Sequence, residues 1–171
     1  GLTPMEGLMM GTRSGDIDPG IITFLQENEH WTAKQVEDFL NKKSGLAGLS
    51  GLSNDMRDII QKAEEGNEDA RIAIQVFTHR ITKYIGAYAA VMNGVDVLVF
   101  TAGIGENSAE IRNRICTGMD YLGIKLDEHK NESVKLSKEV GVVNISDENA
   151  RVKILAIKTD EQLAIALETQ K

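Results

Sequence analysis

An apolar run that breaks into glycines and then restarts as a helical pattern constrains the fold of this chain most strongly. Residues 97–100 are Val-Leu-Val-Phe, and residues 101–110 are Thr-Ala-Gly-Ile-Gly-Glu-Asn-Ser-Ala-Glu. A continuous run of β-branched and aromatic residues is typical of a strand that is buried on both faces of an α/β sheet. The glycines predict a tight loop after this strand, because glycine lets the backbone turn sharply and approach a ligand closely.

A helix is predicted to begin after this loop, at Asn107. Asn107 and Glu110 form a capping-box pattern, and Ile111, Ile115 and Met119 follow at helical spacing. Unpaired amides at such a helix start, together with the helix dipole, favour a phosphate or a polar nucleotide edge. The loop lacks the Lys-Ser/Thr ending of a P-loop and the third glycine of the dinucleotide fingerprint. The spacing alone therefore leaves two interpretations open, a nucleotide site and an ordinary strand-to-helix turn.

Composition and charge argue against several classes of partner. The chain has 171 residues, of which 42% are hydrophobic and 26% charged, which is ordinary for one globular domain. The net charge is -7, and no cluster of Lys and Arg could follow a nucleic-acid backbone or an anionic membrane. We therefore expect neither nucleic acid nor membrane as a partner.

The cysteine content and the absence of a recognisable leader predict a cytoplasmic location. Cys116 is the single cysteine, so no disulfide framework exists, which favours a reducing compartment. No apolar stretch is long enough to span a bilayer, and no basic-then-apolar leader is recognised. Cys116 itself is interpreted as a small buried residue rather than a nucleophile.

Helices are predicted along the first half of the chain. Asp18 caps a helix whose first residue is Pro19, and Thr32 caps a second helix. A flexible glycine-rich connector is expected at 45–52, and residues 53–55 open a third helix. The apolar residues at helical spacing are predicted to form the buried faces of the first two helices: Ile21, Ile22, Phe24 and Leu25 on one, and Val36, Phe39 and Leu40 on the other.

The second half of the chain predicts an α/β layer. The longest helix is expected over 67–92 and ends at Asn93, directly before the apolar strand. Two further strands are predicted over 140–145 and 152–157, and a last helix follows Asp160. Three strands make a thin sheet for a strand buried on both faces, so we expect missing strands upstream of this chain.

Two charged residues are candidates for phosphate and metal chemistry. Arg13 lies between glycines on an adaptable loop, where its guanidinium can hold phosphoryl oxygens, although a surface ion pair with Asp16 or Asp18 is the alternative. Glu161 follows a strand end, which suits Mg²⁺, although a carboxylate is also common at a helix start. The carboxylates at 55–58 suit a helix dipole whatever the function. The three histidines lack metal-ligand spacing and predict no zinc site.

Four segments together resemble the acetate kinase family, in the family's order and over nearly the whole chain. They are Thr3–Asp16 (TPMEGLMMGTRSGD), Ser53–Asp58 (SNDMRD), Phe100–Asn107 (FTAGIGEN) and Thr159–Glu161 (TDE). The resemblance implies an α/β fold of the ribonuclease H-like type found in the sugar kinase, Hsp70 and actin superfamily, lacking its first strands. Residues 1–171 would then be a carboxy-terminal nucleotide-binding domain fragment, without the amino-terminal domain.

The resemblance also implies an activity, phosphoryl transfer between ATP and acetate to give acetyl phosphate and ADP, with Mg²⁺. By motif, Arg13 would stabilise the transferring phosphoryl group and Glu161 would serve the magnesium. Contacts to the nucleotide would come from two segments: Asp55, Met56 and Arg57, and Gly103, Ile104, Gly105, Glu106 and Asn107. The family resemblance further implies a homodimer. The chain alone is expected to be inactive, because the amino-terminal domain supplies the remaining catalytic and substrate contacts.

Three other functions remain open. A propionate kinase shares these motifs, and the chain is also compatible with a nucleotide-binding module without catalysis or with an interaction domain. The presence of Arg13 and Glu161 beside the Gly103 loop disfavours a purely structural role, since packing requires neither.

Overall fold

The computed structural model of the chain describes residues 1–160, 165–166 and 168–169. Its contacts divide the chain into two compact units, Gly1–Ile85 and Gly86–Lys171. The helix predicted after Asp160 lies largely outside the described residues, and the candidate magnesium ligand Glu161 lies outside them entirely. No helix in the described part of the chain is long and apolar enough to cross a membrane.

The first unit consists of helices and an irregular opening segment. The helices are α1 (Gly20–Asn28), α2 (Ala33–Lys42), α3 (Gly45–Ser50), α4 (Met56–Glu64) and α5 (Glu68–Val91), which ends in the second unit. Three predicted helix starts are confirmed by their capping contacts. Thr32 and Gln35 form a reciprocal capping box, the Asp55 carboxylate accepts the Arg57 amide, and Asn67 Oδ1 accepts the Ala70 amide.

Two predictions for the first unit are wrong. The apolar face predicted for α1 is not buried, since Ile21, Ile22 and Phe24 are 39% to 57% exposed. Helical spacing shows which face is apolar, but burial requires a second element to cover that face. The connector predicted at 45–52 contains helix α3 instead, because long-range hydrogen bonds outweigh the low helix propensity of its glycines.

The second unit contains a small mixed sheet with helices. In chain order its elements are β1 (Val97–Phe100), α6 (Ala102–Asn107), α7 (Ala109–Cys116), a 3-10 turn (Asp120–Leu122), α8 (Glu128–Glu132), β2 (Val142–Asn144) and β3 (Lys153–Ile157). The strand order is β1-β3-β2, with β1 parallel and β2 antiparallel to β3. The two further strands predicted from the sequence are therefore confirmed, with shorter limits. The carboxyl ends of β1 and β3 lie at the same edge of the sheet.

The core of the second unit lies around β3 and the buried face of α7. Ile154 and Ala156 of β3 are fully buried, as are Ile111 and Ile115 of α7, as their spacing predicts. The prediction that β1 is buried on both faces is wrong in this structure, because Val97 and Val99 are 43% and 45% exposed. In the described part of the chain β1 is an edge strand, and no element covers this face.

Candidate functional site

The loop that contains Arg13 is attached to the end of α2 and the start of α3. The Ser14 amide donates to the Leu40 carbonyl at 3.0 Å, and the Thr12 hydroxyl donates to the Asn41 carbonyl at 2.9 Å. The Ser44 amide donates in turn to the Thr12 carbonyl at 3.0 Å. These bonds between distant segments give a glycine-containing loop a defined backbone.

The same loop provides the acceptors that the first amides of α3 need. The Leu46 and Ala47 amides donate to the carbonyls of Met10 and Gly11, each at 2.9 Å. Gly45 permits this close approach, since its φ is +63° and a Cβ there would lie 2.2 Å from the Met10 oxygen. Because the first amides of a helix have no partner within the helix, this loop takes the place of a side-chain cap.

Arg13 lies on the wall of a cavity of about 730 Å³ in the first unit. The wall combines polar groups with the apolar side chains of Ile17, Ile22, Val36 and Leu40. The guanidinium is half-buried and forms no hydrogen bond or ion pair with any residue that the structure describes. An arginine with free donors beside a partly apolar cavity is suited to bind an anion.

The alternative prediction, an ion pair between Arg13 and Asp16 or Asp18, is not what the structure shows. Asp18 accepts the Gly20 amide at 2.8 Å at the start of α1. Asp16 accepts hydrogen bonds from the Tyr84 hydroxyl and, at 2.7 Å, from the Gly7 amide. These bonds, with Tyr84 contributing most, hold the pKa of Asp16 below its ordinary value. Both carboxylates therefore serve the local fold.

The Asp55–Arg57 segment forms the start of α4. The Asp55 carboxylate caps the helix by accepting the Arg57 amide at 2.9 Å and pairs with the Arg57 guanidinium at 2.5 Å. These contacts, with the side chain of Arg57 contributing most, lower the pKa of Asp55 to about 2. The side chain of Met56 is 4% exposed and belongs to the core, so a ligand contact there would come from its backbone.

The tight loop predicted between β1 and Asn107 is a short helix, α6, and this part of the prediction is wrong. The left-handed residue at the turn is Ala102, with φ of +59°, and neither Gly103 nor Gly105 has a positive φ. Gly105 allows α6 to pack closely on β1, since a Cβ there would lie 3.3 Å from the backbone of Phe100. A Cβ at Gly103 would meet no atom within 4 Å, so open space adjoins this residue.

The predicted cap of α7 is wrong by one residue. Ser108 caps α7 by accepting the Ile111 amide at 3.3 Å, whereas the Asn107 side chain donates back to the Gly103 carbonyl at 2.8 Å. Both residue types can cap a helix, and Ser108 does so because its extended backbone separates α6 from α7.

The carboxylate of Glu106 joins α6 to the segment after β3. Its Oε1 accepts the Thr159 hydroxyl at 2.6 Å and the Thr159 amide at 2.9 Å. These bonds, the Thr159 hydroxyl first, hold the pKa of Glu106 below its ordinary value.

Arg112 is a residue of this site that the sequence analysis missed. Arg112 is 1% exposed, and its guanidinium donates to the carbonyls of Gly105 and Glu106 at 2.9 Å each. It also donates to the side chain and carbonyl of Asn131, at 2.7 and 3.0 Å. Its position beside Ile111 and one turn before Cys116, on the face predicted to be buried, was the signal that could have identified it.

Cys116 and the acidic residues that the structure describes add no reactive or metal-binding group to this site. Cys116 is buried, and this burial raises the pKa of its thiol to about 12, which confirms the interpretation as a small buried residue. No group of three or more His, Cys, Asp or Glu among the described residues could hold a metal ion. The magnesium site predicted at Glu161 stays a prediction.

Comparisons with known proteins agree over nearly the whole chain. A family model described as the acetokinase family matches residues 1–167. The acetate kinase of Desulfitobacterium hafniense is 53% identical over 169 residues, which are 99% of this chain and 41% of that protein. The chain thus spans about two fifths of the length of this relative.

Solved structures give the same result. The crystal structure of Porphyromonas gingivalis acetate kinase matches with a TM-score of 0.92 and 47% identity, over 99% of this chain and 42% of that one. A propionate kinase from Francisella tularensis matches with a TM-score of 0.89 and 42% identity, over 98% of this chain and 41% of that one.

Proposed function

The chain belongs to the acetokinase family, and from this premise we propose that it is the carboxy-terminal, nucleotide-binding portion of a longer kinase. The reaction is phosphoryl transfer between ATP and acetate, giving ADP and acetyl phosphate. The observation that carries the proposal is the half-buried Arg13 guanidinium, which has no partner among the described residues and lies beside a cavity of about 730 Å³. Phosphoryl transfer requires mainly positioning and neutralisation of charge, which such a group supplies.

Arg13 stabilises the transferring phosphoryl group in this proposal. Its loop is fixed by hydrogen bonds to α2 and α3, so little reorganisation is needed when an anion binds. The apolar side chains of the cavity wall, among them Ile17 and Val36, suit the methyl end of a small acyl group.

The nucleotide contacts come from two segments in this proposal, Asp55–Arg57 and Gly103–Asn107. The open space beside Gly103 supports a close approach of ligand to backbone. Met56 contributes its backbone, because its side chain is in the core. The exposed Arg57 guanidinium lies at the surface of the first unit, where it remains accessible to a ligand.

Mg²⁺ fits the chemistry of the segment after β3. Thr159 lies at the carboxyl edge of the sheet, where β1 and β3 both end, and Glu161 follows two residues later. A carboxylate is a ligand that Mg²⁺ prefers, so we assign Glu161 to the ion from its place in the sequence. When bound, the ion would neutralise phosphate charge.

The finer fold assignment is also part of this proposal. We assign the chain to the ribonuclease H-like fold of the sugar kinase, Hsp70 and actin superfamily, with residues 1–171 as a domain fragment whose first strands lie upstream. The exposed Val97 and Val99 and the open edge of β1 support this assignment. The homodimer and the cytoplasmic location stay predictions.

A propionate kinase is the second candidate, since a protein of that name matches this chain with a TM-score of 0.89. Parallel turnover of acetate and propionate by the full-length protein separates the two. The larger kcat/KM identifies the substrate.

Calorimetric titration of MgADP into the 171-residue chain tests the nucleotide site. We expect Gly103→Val to abolish binding, because its side chain would fill the open space beside α6. Gly141→Val is the matched control, since a Cβ there also meets no atom within 4 Å and its φ is not positive either. Equal binding by both variants, or no binding by a wild-type chain with a native circular dichroism spectrum, would contradict the nucleotide site.

Turnover of the full-length protein tests the role of Arg13. We expect Arg13→Ala to lower kcat by roughly a hundredfold or more, the usual effect of removing a donor that stabilises transition-state charge. MgATP binding should be nearly unchanged. The isolated chain should form no acetyl phosphate, and detectable Mg-ATP-dependent formation would refute that expectation.

A further inference from the structure

Glu106 joins two segments that are 53 residues apart in the sequence. Its Oε1 accepts two hydrogen bonds from Thr159, one from the hydroxyl at 2.6 Å and one from the backbone amide at 2.9 Å. One side chain therefore connects α6 to the segment that follows β3.

The backbone of Glu106 is held as firmly as its side chain. Its carbonyl accepts Arg112 Nη1 at 2.9 Å, and the buried Arg112 guanidinium is held in turn by Asn131. Because both ends of the residue are bonded, Glu106 has little freedom to turn its carboxylate toward a ligand. Its side chain instead fixes α6 against the end of β3.

The charge of Glu106 also disfavours a direct contact with phosphate. A carboxylate that accepts several hydrogen bonds stays ionised, and an ionised carboxylate repels phosphate oxygens. The hydroxyl and the amide of Thr159 stabilise that charge within the protein. The most direct use of this side chain is therefore to hold the two segments together.

We infer that Glu106 is a positioning residue that acts through Thr159, and that its carboxylate does not touch the nucleotide. The expected effect of Glu106 on nucleotide affinity rests on the proposed function. The backbone of residues 103–107 remains the part that approaches the ligand. The contact between Glu106 and Thr159 sets the distance between this backbone and the segment that precedes Glu161.

Amide hydrogen exchange in the 171-residue chain tests the contact itself. Glu106→Ala removes the accepting carboxylate, so the amide of Thr159 should exchange about tenfold faster, the change expected for loss of a hydrogen bond to a charged group. Glu110→Ala is the matched control, because it removes a carboxylate that pairs at the surface with Arg114. Unchanged exchange at Thr159 in Glu106→Ala would overturn the inference.

A double-mutant cycle on MgADP affinity tests how Glu106 acts. We expect Glu106→Ala and Thr159→Val each to weaken binding, by up to about tenfold, and the double variant to be no weaker than Glu106→Ala alone. Thr159→Ser should restore the wild-type affinity, since it keeps the hydroxyl. Additive effects, or a loss confined to Glu106→Ala, would mean that the carboxylate contacts the nucleotide and would overturn the inference.

Hydrogen exchange and MgADP affinity test the Glu106–Thr159 contact and the nucleotide site separately. If the wild-type chain binds no MgADP, the proposed nucleotide site fails in this chain. The exchange measurement then still decides whether Glu106 holds Thr159, because it requires no ligand.

Discussion

The hydroxyl of Tyr84 donates a hydrogen bond to the carboxylate of Asp16, which joins the long helix α5 to the segment that contains Arg13. The Arg80 guanidinium, on the same face of α5, donates to the Asp16 carbonyl at 2.9 Å and lies 3.6 Å from the carboxylate. The Gly7 amide donates to the other carboxylate oxygen at 2.7 Å. The position of the Arg13 loop in the first unit thus depends on an ionised Asp16.

We predict that Asp16 contributes to stability in a pH-dependent way. Its pKa is lowered in the folded protein, chiefly by Tyr84, so its contribution is fully present above the ordinary value of 3.8. As the pH falls from 3.8 to below the lowered pKa of the folded protein, Asp16 is protonated and its contribution to stability is lost. The difference in thermal midpoint between wild type and Asp16→Asn should therefore shrink as the pH is lowered from about 5 toward about 2.

Tyr84→Phe provides the control for this prediction. It removes the largest cause of the lowered pKa of Asp16 while keeping the carboxylate and the aromatic ring. We expect its midpoint to vary with pH less than that of the wild type. A difference between wild type and Asp16→Asn that stays constant across this range would contradict the role of the ionised carboxylate.

Gly45 and Gly51 form a matched pair for a second prediction. Both have left-handed backbones, with φ of +63° and +64°, but a Cβ at Gly45 would lie 2.2 Å from the Met10 oxygen and one at Gly51 would meet nothing within 4 Å. Gly51→Ala should cost about 1 kcal/mol, the usual cost of a left-handed alanine. Gly45→Ala should lower the free energy of unfolding, measured in urea, by several-fold more. Equal losses would show that the Met10 carbonyl moves away freely.

Cys116 should resist alkylation in the folded chain. Its thiol is buried and its pKa is raised to about 12, so at neutral pH almost none of it is the reactive thiolate. Iodoacetamide should modify it only after unfolding in urea, as measured by intact mass. Rapid modification under native conditions would contradict its burial.

The sequence predicted those features that depend on neighbouring residues. The caps at Thr32, Asp55 and Asn67 require a side chain only two or three residues from its target, and the apolar spacing of α7 requires only a helix. The strands were predicted for the same reason, since β-branched runs define them locally. Even so, local pattern did not distinguish Asn107 from Ser108 as the cap of α7, because both residue types can perform that role.

The features that the sequence did not predict depend on contacts between distant segments. Helix α3 forms because the carbonyls of Met10 and Gly11, which are distant in the sequence, accept two of its first amides. The contact between Glu106 and Thr159 and the burial of Arg112 arise in the same way. Composition cannot reveal such partners, since each residue taken alone is typical of a solvated surface.

Arg112 should be far more important for stability than Arg114, two residues later on the same helix. Arg112 is 1% exposed and donates to the carbonyls of Gly105 and Glu106, whereas Arg114 forms a surface ion pair with Glu110. Arg112→Met keeps much of the volume but leaves those carbonyls without their donor, and we expect a loss of about 3 kcal/mol in urea unfolding. Arg114→Met should lose less than about 1 kcal/mol, because exposed ion pairs contribute little. Similar losses in the two variants would mean that the end of α6 finds other donors when Arg112 is absent.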